Sequence, residues 1–328
     1  MRIGSREVAI TNREKVFFPA LGLTKGDLVD YYLDLAPQVL GHVARRPMLL
    51  KRYPNGVGGE FFYQKRIPVP HPDWMRSAHI DFPSGRTADY PVVTDAASLV
   101  WIANLGCIEL HTWPTRLEHP ERPDYLLIDL DPGPGHPWEH VREIALAVGQ
   151  VLDGLDMRGY PKTSGSTGLH VLAPIRPELE FPEVRRFAKA LAERVEKAVP
   201  DISTTTWRVA ERDGVFIDYG QNARDHAIAA AYSVRPTPDA RVSAPLRWDE
   251  VATVEPERFT LRTMRERIAT SGDPSAGMWR RKVSLLGRFE RVGLDTPDPD
   301  DPPRHRARRR WPGPPGSGTG RRQDDPSG

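Results

Sequence analysis

Proline occurs 33 times in 328 residues, about twice its average usage, and it limits how long any element can run. Each proline removes a backbone donor and blocks a helix interior or a central strand. Long helical bundles are therefore disfavoured, and many short elements joined by ordered loops are favoured. Apolar residues make up 39% of the chain, enough for a substantial core and too many for a wholly disordered chain. The length fits about two domains or one elaborate domain.

The final stretch, residues 295–328, has a different composition. It holds 8 Pro and 5 Gly and almost no aliphatic residue. Such a segment cannot bury enough surface to offset its ordering entropy, so it reads as a disordered tail. Within it, Arg304-His305-Arg306-Ala307-Arg308-Arg309-Arg310-Trp311 is either a solvated basic cluster or a loose phosphate-binding arm.

Residues 1–294 mix strands and helices. Thr24 followed three residues later by Asp27 signals a helix start. Leu28, Tyr31, Tyr32, Leu35 and Val39 then recur at helical spacing. Residues 96–105, 138–155, 182–199, 256–269 and 276–292 read as further helices. Residues 48–53, 61–63, 107–111, 125–131, 169–174, 215–219 and 229–234 read as strands. The alternation has no strict βαβ rhythm, so the expected class is α+β around a largely antiparallel sheet.

A single Cys excludes an internal disulfide and a four-cysteine zinc site, which makes cytosolic residence the default. No run reaches the roughly 18 apolar residues of a membrane span, and the N-terminal residues lack a secretion-signal core. The formal net charge of +2 does not by itself announce a nucleic-acid partner, so any electrostatic footprint must be local.

Ile128-Asp129-Leu130-Asp131-Pro132 ends an apolar strand. Side chains two apart on a strand share a face, so Asp129 and Asp131 point the same way. Two adjacent carboxylates resist joint ionisation and invite a positive partner. Hard oxygen ligands suit Mg²⁺ or Mn²⁺ better than zinc. For an isolated pair the alternative is a strand end in which one Asp caps the turn and the other meets an Arg. Asp218 ends another apolar strand and would complete three carboxylates. Such a set holds two divalent ions about 3.5–4 Å apart for in-line phosphoryl transfer.

Lys162-Thr163-Ser164-Gly165-Ser166-Thr167-Gly168-Leu169-His170 offers close backbone approach, hydroxyls on Ser164 and Ser166, and bracketing charge from Lys162 and His170. A polyphosphate fits such a loop, and so does an ordinary glycine turn. The spacing is not that of a Walker A motif. Elsewhere Lys15, Lys25, Lys51-Arg52 and Phe61-Phe62-Tyr63 interleave charge and rings, as a nucleic-acid strand requires. At least one of Phe61 and Phe62 is expected in the core. His111 ends a strand, and Arg235 is either a phosphate clamp or an ion-pair partner.

Taken in order, Lys51-Arg52-Tyr53-Pro54-Asn55-Gly56-Val57, Phe62-Tyr63-Gln64-Lys65, Asp129-Leu130-Asp131-Pro132, Ser164 to His170, Asp218-Tyr219-Gly220-Gln221-Asn222, and Val242-Ser243-Ala244-Pro245-Leu246-Arg247-Trp248-Asp249-Glu250 form a specific set. The chain resembles the polymerase domain of the bacterial LigD proteins, in the archaeo-eukaryotic primase superfamily. The resemblance covers nearly all of residues 1–294. It implies a primase-polymerase palm with RRM-like antiparallel sheets flanked by helices. It also implies template-directed addition of NTPs and dNTPs to DNA 3′ ends in non-homologous end joining, supported by Mn²⁺ or Mg²⁺.

By motif position, Asp129, Asp131 and Asp218 match the metal-binding triad. Ser164 and His170 match triphosphate contacts, and His111 matches a further active-site histidine. Arg52 and Arg235 fall where nucleotide or primer phosphates bind, and Lys162, Ser166 and Gln221 join the nucleotide-binding set. Lys15 and Lys25 match a basic pair that recognises a 5′-phosphate at a gap or break. Phe61 and Phe62 match a template-stacking platform, and Arg212 is a candidate contact to the DNA end. The chain departs from the family at Thr167, where many members carry Lys, at the short loop 211–214, and at Asp225. No ligase nucleophile motif, Lys-x-Asp-Gly, is present, so a stand-alone polymerase is expected. The resemblance also raises Ku and a separate DNA ligase as partners, and a cytoplasmic, nucleoid-associated location. A non-catalytic DNA-end binding module and a de novo primase are the alternatives. The three acids favour an enzyme.

Overall fold

The strand Tyr125–Pro132 organises the molecule, as a computed structural model describing residues 1–82 and 84–297 makes plain. Its side chains alternate between two environments, as strand geometry demands. Leu126, Ile128 and Leu130 enter the main core. There they join Val141, Ile144, Val148 and Leu152 of the helix Trp138–Asp153, and Val184, Phe187 and Leu191 of the helix Phe181–Ala198. Each such burial stabilises by about 1.5–3 kcal/mol. Tyr125 and Leu127 face the other way, toward Tyr160, Leu172 and Met278. Asp129 and Asp131 continue that second face beyond the apolar cluster.

The strand is central in a five-stranded sheet ordered Tyr160–Thr163, Leu169–Pro174, Tyr125–Pro132, Val215–Asp218, Ser203–Thr204. All pairings are antiparallel except the last. A second, four-stranded antiparallel sheet runs Ile228–Ala229, Cys107–Thr112, Met48–Arg52, Phe62–Gln64. The α+β expectation holds. No helix among the described residues is long and apolar enough to cross a membrane.

Thr24 caps the helix Lys25–Asp34, with Asp27 returning a bond to the Thr24 N–H at 2.6 Å. The expected stripe from Leu28 to Val39 is buried, but it is carried by two helices. Pro37 sits in the first turn of the second, Ala36–Val43, where its missing donor costs nothing.

Other expectations are corrected. Of the expected strand 229–234 only Ala229 lies in a strand, Ile228–Ala229, because Tyr232 takes a φ of 65° and turns the chain, leaving Val234 to form a single bridge with Val242. Of the helix expected over 256–269, only Thr263–Ser271 forms, after a 3-10 turn at Pro256–Arg258. Backbone bonds to 240–242 hold Phe259 and Leu261 extended instead. Over 276–292 there are three 3-10 turns rather than a helix. Val283 there adds to the end of a strand, accepting from Arg176 N–H at 2.9 Å. The hairpin Arg76–Asp81 with Thr87–Val92 was not anticipated. Its buried Ala78, Ile80, Ala88, Tyr90 and Val92 do alternate, but small and polar residues dilute the signal. The tail beyond residue 297, with the 304–311 basic cluster, lies outside the described residues.

Candidate active site

Strand register brings the acids together. Asp129 stands opposite His170 on one side and opposite Asp218 on the other. Lys162 stands opposite His170. Directly opposed residues share a face, so Lys162, His170, Asp129 and Asp218 form one row across the sheet. Asp131 follows on the same face. One carboxylate oxygen from each of Asp129, Asp131 and Asp218 lies within 4.8 Å of the others.

The turn after Asp218 is tied to the central strand. The Gly220 N–H donates to Asp218 Oδ1 at 2.6 Å, and Gln221 Nε2 donates to Oδ2 at 3.1 Å. Gln221, expected at the nucleotide, thus grips the triad itself. Asn222 is buried and pairs with both backbone groups of Leu127, accepting its N–H at 2.9 Å and donating to its carbonyl at 2.7 Å. This side chain substitutes for the next rung of the ladder and fixes where Asp218 stands.

The glycine loop packs against the same strand end. Ser164 Oγ accepts the N–H groups of Ser166 at 3.1 Å and Gly168 at 3.0 Å. Those two donors are therefore spent inside the loop, while the Ser164 hydroxyl proton remains available. Gly165 has a φ of +73°, a conformation glycine adopts without strain. A Cβ on Gly168 would lie 2.3 Å from the Leu130 carbonyl oxygen. Gly168→Ala is therefore expected to destabilise the fold by about 1–3 kcal/mol, by forcing loop and strand apart. Chemical denaturation measures this, and an unchanged midpoint would show that the loop yields freely.

Electrostatics separates the three acids. Burial works to raise Asp129, but His170 outweighs it and holds this carboxyl below its ordinary value. Withdrawal from water, then Asp129 and Asp218, push Asp131 up to about 7, although solvent still reaches it. Asp218 is raised, mainly by burial. Asp129 Oδ1 is buried and has no aligned hydrogen-bond donor. Its ion-pair contact, His170 Nε2 at 3.1 Å, lies off the line of a hydrogen bond. Three clustered carboxylates with an unpartnered buried oxygen fit a hard divalent cation.

A second charged centre adjoins the row. Glu109 has a fully buried side chain. Tyr53 OH donates to its Oε2 at 2.8 Å, Lys51 Nζ lies 2.8 Å from Oε2, and Arg235 Nε lies 2.9 Å from Oε1. His111 Nε2 is 3.5 Å from the same carboxylate. Burial pushes the Glu109 pKa up, yet His111, Arg235 and Lys51 outweigh it and hold the carboxyl well below the usual range. Arg235 also donates to the Ser164 carbonyl at 3.0 Å, linking this centre to the glycine loop. Glu109 and Asn222 were not singled out from the sequence, and Lys51, expected among charges that face a nucleic-acid strand, is instead paired with buried Glu109. A charged residue inside the apolar run Cys107-Ile108-Glu109-Leu110 was the available signal, because a buried carboxylate demands partners.

Some expected site residues stand elsewhere. Lys162 is buried beneath His170 rather than exposed to a nucleotide. Arg52 leaves the acidic row: it donates to the Leu105 carbonyl and to Gln64, and its charge acts on Lys25. Lys25 is itself buried, donating to the Thr11 carbonyl at 2.7 Å, and exposed Lys15 donates to Asn55. Phe61 and Phe62 are both exposed, at 48% and 45%, so neither is a core residue. Lys51 Nζ lies 4.5 Å over the Phe61 ring, which is cation–π distance. Arg212 stacks 3.5 Å over Phe216 and donates to the Thr206 and Trp207 carbonyls, with its charge reaching Asp131.

Residues 24–275 match the family "LigD, primase-polymerase domain". The multifunctional non-homologous end joining protein LigD of Mycolicibacterium smegmatis is 35% identical over 269 residues, covering 81% of this chain and 35% of that protein. The bifunctional LigD of Bacillus subtilis is 30% identical, covering 84% of this chain and 44% of its own length. The chain thus spans less than half of these curated relatives. The polymerase domain of Mycobacterium tuberculosis Ligase D, solved in complex with DNA, superposes with a TM-score of 0.78 at 33% identity, covering 84% of this chain and 99% of that one. The cross-strand acids therefore belong to a shared scaffold, and this chain is a member of the LigD primase-polymerase domain family.

Proposed function

We propose that residues 1–294 form a template-dependent nucleotidyltransferase that adds NTPs and dNTPs to DNA 3′ ends at breaks or gaps, in repair by end joining. The observation that carries this reading is the Asp129, Asp131 and Asp218 cluster beside the Ser164–His170 turn. When bound there, two divalent ions, Mg²⁺ or Mn²⁺, would lower the pKa of the primer 3′-hydroxyl and neutralise the triphosphate and the departing pyrophosphate.

The chain's own groups have distinct tasks. Asp129, Asp131 and Asp218 hold the cations, and Gly220 and Gln221 orient Asp218. Ser164 Oγ, already accepting two N–H groups, has its proton to donate to a phosphate oxygen. His170 offers a ring N–H and Arg235 its positive charge on the same side. Glu109 restrains Arg235, Lys51 and His111, so that these groups are set before the nucleotide arrives. The exposed rings of Phe61, Phe62 and Tyr63 offer a stacking surface for template bases.

Lys15, Lys25 and Arg52 gather positive charge at one place. Burial, then Lys15 and Arg52, lower the Lys25 pKa to about 8. An anion would relieve that crowding, which supports a 5′-phosphate site. Lys15→Ala combined with Lys25→Ala is expected to cut the preference for 5′-phosphorylated gaps by about 10–100-fold, the scale of lost charged hydrogen bonds. Competition binding with phosphorylated and unphosphorylated gaps measures it, and an unchanged preference would refute the role. Ku and a separate DNA ligase are the protein partners such a role calls for, at the nucleoid.

Primer extension with a labelled primer, template, Mn²⁺ and either NTPs or dNTPs tests the function. Template-directed addition is expected. Absence of incorporation with every nucleotide and metal would leave a DNA-end binding module, and products without primer would point to a primase.

A further inference from the structure

We propose that Lys162 is a positioning residue that fixes the His170 imidazole in one tautomer, with Nδ1 accepting and the Nε2–H turned toward the acidic triad. Burial, then Arg235, lower the Lys162 pKa to about 7. Below that pH its ammonium has three N–H donors and no acceptor. Lys162 Nζ lies 3.0 Å from the Ala229 carbonyl, 2.7 Å from Ser243 Oγ and 2.8 Å from His170 Nδ1. The Ala229 carbonyl can only accept. Ser243 Oγ sends its own proton to the Thr163 carbonyl at 2.8 Å, so toward Lys162 it also accepts. The third ammonium proton then goes to His170 Nδ1, which must carry a lone pair. The imidazole proton is thereby placed on Nε2, the nitrogen 3.1 Å from Asp129 Oδ1.

Lys162 is 2% exposed, and its three donors are all used within the protein. It therefore makes hydrogen-bonded contact toward the triad only through His170, while its charge also helps to hold Asp129 ionised. The strand register carries the same order, since Lys162, His170 and Asp129 oppose one another in turn. The partners of a ligating carboxylate set its direction and basicity, and their loss commonly costs 10–100-fold in metal affinity or activity. A ring free to take the other tautomer would aim a lone pair, rather than an N–H, at the triad.

The tautomer does not depend on the proposed function, whereas the kinetic consequence rests on that reading. Long-range ¹H–¹⁵N correlation on the metal-free, full-length protein at about pH 6, where Lys162 is an ammonium and burial keeps the His170 ring neutral, reads both ring nitrogens directly. The wild-type ring is expected to show a protonated Nε2 and an unprotonated Nδ1. Lys162→Met, which removes the donor, is expected to give averaged tautomers, and Lys162→Gln, which keeps an N–H donor, to restore the single form. In primer extension, Lys162→Met is expected to lose about 10–100-fold in rate. A protonated Nδ1 in the wild type would overturn the proposal, with no variant needed. So would an unchanged ring in Lys162→Met, or full activity in that variant. If the wild type adds no nucleotide at all, the functional reading fails, while the spectrum still decides the tautomer.

Discussion

Asp131→Asn is expected to stabilise the metal-free protein at pH 7.5 while reducing nucleotide addition by at least about 10³-fold. The two effects share one cause. Asp131 is pushed from 3.8 to about 7 by partial burial and by Asp129 and Asp218. Between those values the folded chain holds a proton that the unfolded chain has released. Stability of the metal-free protein therefore falls as pH rises through this window. Asparagine cannot ionise, so the variant escapes the fall. The gain is about 2–4 °C in melting temperature, because solvent at Asp131 screens part of the repulsion. At pH 4 the wild type and the variant should converge. Mn²⁺ should raise the wild-type melting temperature more at pH 7.5 than at pH 5.5, and the variant much less at either. The loss of activity follows from the loss of a charged ligand, a several-kcal/mol matter where phosphoryl charge must be neutralised. Thermal melts across pH with and without Mn²⁺, alongside primer extension, measure both. A variant as active as wild type, or one destabilised at pH 7.5, would contradict this description of the triad.

Glu109→Ala is the second large effect, and it is primarily structural. The carboxylate is fully buried among Lys51, Arg235, Tyr53 and His111. Removing it leaves cations close together in a water-poor space. Breaking a buried pair in this way costs about 3–5 kcal/mol. Arg235 would lose its restraint and loosen its hold on the Ser164 carbonyl, so weaker nucleotide binding is expected with the stability loss. Glu109→Gln keeps the shape and some hydrogen bonding, so it should lose less. In the wild type this depressed carboxyl contributes stability in full above its unfolded value of 4.5, and the contribution is lost as pH falls through the lower folded value. Glu109→Gln should remove that part of the acid sensitivity. Urea titrations at pH 7 and pH 3 distinguish these outcomes.

The acidic triad was legible in the sequence for a local reason. Each Asp ends an apolar strand, and the two-residue period puts Asp129 and Asp131 on one face. The register that adds Asp218 required pairing between segments far apart in the chain, which no local pattern specifies. The helix after Thr24 was legible because its cap and stripe lie within one short window. The C-terminal region was not, because Val283 and Phe259 give up local helical order to pair with distant backbone. Lys162 and Arg52 illustrate a further limit. Charge in a motif says that a partner exists, but only the fold says whether the partner is a ligand or the protein. For Lys162 it is His170, and for Arg52 it is the Leu105 carbonyl and Gln64.

Whether acids from two adjacent strands gather divalent cations for nucleotide transfer is decided by template-directed incorporation of labelled NTP by the wild type and by Asp129→Asn, side by side in Mn²⁺, with DNA binding measured on both. Incorporation by the wild type, none detectable in the variant, and equal DNA binding are expected. Comparable incorporation by the two proteins would contradict it.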